Sequence, residues 1–176
     1  MANVMYAGGK LLGMSLSQAQ TTINAGIPAA LDWKLNTANP QTGSMKVVAA
    51  LVTSGFTVNA DHYALGDTNI SGNELVGTGY ARKDIGGTAG AGTATYQTAS
   101  DRVELDAPDL VYTAISAGTA AGILLFLEKL TSPTDATRVL LCFIDQPQSA
   151  INGFPAVTNG GDLTIQWATT GIIWQS

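Results

Sequence analysis

Asn159-Gly160-Gly161-Asp162-Leu163-Thr164-Ile165-Gln166-Trp167 decides the fold class. Its first four residues are turn formers, and the next five alternate apolar and polar with a period of two. Leu163, Ile165 and Trp167 therefore share one face of a half-buried strand, with Thr164 and Gln166 on the other. Thr170-Gly171 interrupts the pattern, and Ile172-Ile173-Trp174 reads as a further strand.

The same signals recur upstream. Leu31-Asp32-Trp33-Lys34-Leu35 alternates with period two. Residues 45–52, a short apolar run rich in Val, suit a strand buried on both faces. Residues 93–97, 103–105 and 110–115 are shorter strand candidates, punctuated by Ser100-Asp101 and Pro108. Residues 123–127 and 138–144 flank the turn-rich Thr131-Ser132-Pro133-Thr134-Asp135 as a long-looped hairpin. About eight short strands without sustained helical periodicity predict a mainly all-β fold, an antiparallel β-sandwich of jelly-roll-like character. Residues 1–44 form a separate N-terminal region with a first strand, and residues 45–176 the sandwich domain. Within the former, residues 10–20 suit either a short helix or an extended arm ordered against a neighbour. Within the latter, residues 54–92 form a long glycine-studded excursion. A loop of that length in a compact domain is expected to bind something.

Composition narrows the function classes. Only 12% of the 176 residues are charged, the formal net charge is −5, and there is one His and one Cys. An average soluble domain carries roughly 25% charge. Enzymes gather titratable groups in clefts, and no such gathering is visible here. Without a Lys/Arg cluster there is no expected nucleic-acid surface. No apolar run approaches the ~20 residues of a spanning helix, so no membrane partner is expected. Met1 to Tyr6 lacks the basic start of a secretory signal. Cys142, in the run Val139-Leu140-Leu141-Cys142-Phe143-Ile144, reads as a buried hydrophobe.

Each motif with a chemical reading also has a simpler one. Gly86 to Gly92 resembles a phosphate cradle, yet it precedes a strand pattern instead of a helix and reads as a connector. Asp61-His62 suggests a base with its orienter, but no Gly-x-Ser-x-Gly or other nucleophile signature accompanies it. Asp101, Glu104, Asp106 and Asp109 are the densest acids; beside Arg102 they read as a solvated face or rim. Asp67, Asn69 and Glu74 could offer oxygen to calcium, at a spacing that fits no EF-hand. Asn69-Ile70-Ser71 matches a glycosylation sequon. Tyr80, Tyr96, Tyr112, Trp167 and Trp174 are expected to be mostly core. No catalytic residue, cofactor or metal is proposed.

Several segments together resemble a family of small virion proteins of tailed bacteriophages. Asn73-Glu74-Leu75-Val76-Gly77-Thr78-Gly79-Tyr80-Ala81-Arg82-Lys83 is similar to its Glu-x-x-Gly-x-Gly-Tyr-x-Arg segment. Residues 100–112 look like the segment that follows, residues 154–167 like its C-terminal hairpin, and residues 45–52 like its first long strand. The resemblance spans about residues 45–176. It implies a non-enzymatic capsid cement or decoration protein, made in the host cytoplasm and bound outside the shell where major capsid subunits meet. A homodimer or homotrimer is the expected form. Tyr80, Arg82, Lys83, His62 and Tyr63 of the excursion, with the N-terminal arm, are the candidate contacts. A tail or neck protein of the same particle is the near alternative. A carbohydrate-binding β-sandwich, working through exposed aromatics or the acids 101–109, is the alternative from another class.

Overall fold

The computed structural model describes residues 4–5, 45–85, 93–97, 102–129, 132–145, 154–167 and 172–175. The expected helix or arm of residues 1–44, the strand 31–35 and the connector 86–92 lie outside these, except Val4–Met5. The chain is mainly β and antiparallel, as its alternation predicts.

Twelve strands are described: β1 (Val4–Met5), β2 (Met45–Val52), β3 (Lys83–Ile85), β4 (Thr93–Gln97), β5 (Arg102–Asp106), β6 (Leu110–Tyr112), β7 (Gly118–Ala120), β8 (Gly122–Lys129), β9 (Val139–Ile144), β10 (Ala156–Thr158), β11 (Leu163–Ile165) and β12 (Ile173–Gln175). The main sheet runs β1-β9-β8-β2-β3, and a three-stranded sheet runs β12-β5-β4. β6 pairs with β11 and β7 with β10, their registers differing by one residue (Tyr112 opposite Leu163, Gly118 opposite Thr158). Ile115 bridges the gap: its N–H donates to Gly161 O and its O accepts from Gly160 N. Residues 110–120 and 156–165 are thus one bent antiparallel ribbon. The predicted strand 110–115 accordingly ends at Tyr112, because Ile115 lies in the bend.

The main sheet is buried on both faces. Val47, Ala49 and Leu51 of β2 join Ile123, Leu125, Leu127, Leu141 and Ile144 in one core, closed by Leu110, Tyr112, Ile115, Leu163 and Ile165 of the ribbon. Val48, Ala50 and Val52 join Leu124, Phe126, Leu140 and Phe143 in a second core on the opposite face. The even–odd split is the strand period seen from both sides. β9 keeps its phase through a bulge: Leu125 opposes Cys142 and Phe126 opposes Leu140, so Leu141 is the extra residue. Leu141 and Cys142 consequently face the same core, whereas an unbroken register would send one of them to the other side.

The second core is roofed by the excursion itself. The chain leaves β2 with Thr53 N–H bonded to Asn73 O, and crosses to the far side of the sheet. There Ala64 bridges Val139. It then returns to the edge of β2, where Glu74 bridges Val52 and Leu75 N–H donates to Leu51 O. Phe56, Leu65 and Ile70 point down onto the sheet, Phe56 lying 5.5 Å from Phe143 between ring centroids. The excursion, read from its length as a binding loop, contains a 3-10 turn, Leu65–Asp67, and β3, and its first half is a cover built from the chain's own residues.

Candidate functional site

The densest chemistry in the described structure lies where this cover meets the polar end of the main sheet. Glu74 ends the cover, and Gly77 (φ 134°) and Gly79 (φ 77°) turn the chain back so that Tyr80 and Arg82 reach Glu74. Gly79 is required there: a Cβ would stand 2.5 Å from Thr113 O and 2.6 Å from Ala114 O. Arg82 grips Glu74 with two parallel bonds, Nε to Oε1 at 2.9 Å and Nη2 to Oε2 at 2.7 Å. The Tyr80 hydroxyl donates to Glu74 Oε1 at 2.7 Å and accepts from Leu51 N–H at 3.2 Å. That last bond answers a β2 edge group beyond the reach of β3. The Glu-x-x-Gly-x-Gly-Tyr-x-Arg segment is thus a self-closing clasp, and each spelled residue has a part in it.

The clasp continues into a chain of charges. Arg82 Nη1 donates to Asp135 Oδ1 at 3.2 Å, and Arg138 Nη1 donates to the same oxygen at 2.5 Å. Arg138 binds Glu128, and Lys46 bridges Glu128 (3.2 Å) and Asp84 (2.8 Å). Both guanidinium groups lie over the fully buried Phe126 ring, their carbons 5.3 Å and 5.9 Å from its centroid. Asp135 opens the 3-10 turn Asp135–Thr137, against which Gly66 of the cover packs closely. The network therefore fastens the cover, the β8–β9 connection and β3 at one point.

Electrostatics follow from these contacts. Burial would raise the Asp135 carboxyl, but hydrogen bonds from Arg138 and Arg82 outweigh it and hold the group below its ordinary range. Burial would lower Lys46, and its bonds to Asp84 and Glu128 reverse that. Tyr80 is raised well above an ordinary phenol, chiefly by burial and by Glu74. Asp67 is lowered by the backbone N–H groups of Ala64 and Tyr63, which its carboxylate caps. Burial pushes the Cys142 thiol up to about 12, which keeps it protonated as an inert core residue.

The structure divides the five candidate contacts. Tyr80, Arg82 and Lys83 come together: Tyr80 stacks on Tyr112 at 5.9 Å, and Lys83 Nζ sits 5.5 Å from the Tyr112 ring centroid. The polar groups of Tyr80 and Arg82 are turned inward onto the clasp. His62 and Tyr63 lie at the other end of the cover, beside β9, where Tyr63 O accepts from Leu140 N–H and the Tyr63 side chain is exposed. Asp67, Asn69 and Glu74 are turned to separate partners, namely the Tyr63–Ala64 backbone, Thr57 and Arg82. Among the described residues no three metal-ligating side chains gather. Of the acids 101–109, Asp109 accepts from Trp167 N–H, and the Trp167 indole donates to Pro108 O. Sequence reasoning missed Asp135, Arg138, Glu128 and Lys46. The only cue was local: Lys46 and Glu128 are charges inside otherwise apolar strands, and charges so placed need partners. No family model matches the chain, and no curated protein or solved structure matches it.

Proposed function

We propose that the chain is a non-enzymatic structural part of a tailed-phage particle, a cement protein that sits on the outside of the shell and bridges major capsid subunits. One observation carries most of the weight beyond the segment resemblance. Seven of the chain's ionisable residues (Lys46, Glu74, Arg82, Asp84, Glu128, Asp135 and Arg138) are used on one another in a single network. Elsewhere residues 75–79, 113–121 and 156–161 contain no Asp, Glu, Lys or Arg, and they form an uncharged stretch of surface. Such a surface suits permanent cover by neighbours, since each charge buried there without a partner would be costly. Bridging adds contact area across subunit boundaries, so expansion or rupture of the shell becomes harder.

Averaged images of intact particles test the reading. Density for the chain at repeated subunit junctions over the shell is the expected result; a few copies at one vertex or along the tail would replace cement with a neck or tail part. Glycan binding by purified protein, lost in Asp109→Asn, would move it to the carbohydrate-binding class.

A further inference from the structure

We infer that the bend of the ribbon, with the glycine turn beside it, is a self-association face for a second copy of this chain. Val76 and Val157 are the most exposed large apolar side chains described, at 80% and 75%. They sit on adjoining segments. Ser116 N–H donates to Thr78 O, Gly77 abuts Ser116, and the Leu75 side chain lies against Gly118. Gly118 pairs with Thr158, and Val157 pairs with Thr119. Residues 75–79, 113–121 and 156–161 contain no Asp, Glu, Lys or Arg.

The surface is also held in shape before anything binds. Gly77, Gly79 and Gly160 have positive φ, as does Ala114 at 50°. The Ala114 N–H is tied to the Asp162 carboxylate, and Thr158 Oγ1 bonds Ser116 O. A fixed surface loses little entropy on association.

Charge selects the occupant. Two copies of a chain with net charge −5 repel one another. A face whose one neighbouring charge, the Asp162 carboxylate, is already bonded to Ala114 N–H is where they meet at the least electrostatic cost. A strongly charged partner would find no ion pair in residues 75–79, 113–121 or 156–161. β10 adds a self-complementary element. Among the described strands it pairs only with β7, and it carries neither charge nor proline, two of the devices that normally blunt an open edge. Antiparallel pairing of β10 with its own copy would place the two Val157 side chains together about a twofold axis. Three residues of ladder would not hold a dimer alone, and the flanking glycine turn and Val76 supply the remaining contact.

The inference does not rest on the virion reading, and purified protein tests it without any particle. Sedimentation of the full chain should show a concentration-dependent oligomer. Val157→Asp and Val76→Asp should each shift it to monomer, with Ser71→Asp, at an exposed site on the cover, as the unaffected control. Because both valines are exposed, thermal unfolding should show the variants still folded. A labelling arm guards against misfolded variants. In Val157→Cys the new thiol should react more slowly than that of Ser71→Cys at concentrations where the oligomer forms, the native Cys142 being buried and silent. A wild-type monomer at all concentrations, an oligomer that survives Val157→Asp, or equal labelling of the two thiols would each overturn the assignment.

Discussion

At the scale of single residues, the clasp and the aromatic pair make opposite predictions. The Tyr112 hydroxyl is buried with no hydrogen-bond partner among the described residues. Tyr112→Phe keeps the ring stacked on Tyr80 and removes an unpaired polar atom, so it should be neutral to stabilising by about 1 kcal/mol in urea unfolding. Arg82→Ala leaves Glu74 half of its partners and uncovers Phe126; a loss of about 2 kcal/mol is expected. Arg82→Lys retains the charge but not the fork, and should recover only part of that loss. Acid should act through Asp135 and Asp67. Both are held below the ordinary value of 3.8, so folding favours their ionised forms. Their contribution is complete above about pH 5 and disappears as pH falls through the folded values. Unfolding midpoints measured from pH 7 down to pH 2 should therefore be flat and then drop below about pH 4. Asp67→Asn should shrink that drop, and an unchanged acid limb would show that the cap contributes nothing.

At the scale of elements, the cover is the decisive piece. Thr53 and Asn73 are already hydrogen-bonded, so residues 55–72 can be removed and the chain rejoined with little disturbance of β2. The deletion would strip Phe56, Leu65 and Ile70 from the sheet and expose Val48, Ala50, Val52, Leu124, Phe126, Leu140 and Phe143. An apolar face of that extent should bind a hydrophobic dye and aggregate; a soluble, dye-silent deletion would mean that the cover is dispensable. Gly79→Ala tests the turn that closes the clasp and should cost about 2–3 kcal/mol, by positive φ and by collision with two carbonyl oxygens. These elements also show what sequence could convey. β2 was legible to its ends because a strand buried on both faces is apolar at nearly every position, Lys46 at its polar end being the exception. The alternation of Leu163 and Ile165 was legible because one face meets the core. β3, β7 and β10 were not, since three residues give no periodicity and Gly118 has no side chain to carry one. Glu74, Tyr80 and Arg82 stood out as a spaced set, but their inward direction depends on Asp135, 53 residues beyond Arg82. No local pattern reports such a contact.

At the scale of the molecule, the shortage of charge has two structural causes. Sequence alone offered only cover by other subunits. The cover over the second core shows that the chain already shields both faces of its own main sheet, and the network pairs seven of the charged residues with one another at one end. The surface near Val76 and Val157 is uncharged for neither reason, which is why it stands apart as a contact. This distribution yields a prediction about attachment. If uncharged surface joins the chain to a particle, raising salt should not release it. At 1 M salt the Debye length falls to about 3 Å, and contacts between exposed charges are largely screened. Apolar burial is not weakened in that way. Particles washed in 1 M sodium chloride should therefore keep their full complement of the chain, while moderate urea, which solvates apolar and peptide groups, should strip it before the shell itself comes apart. Release by salt alone, at urea-free neutral pH, would mean that exposed charges such as Asp61 and Asp162 carry the attachment, and the uncharged face would then have to serve only the contact between copies.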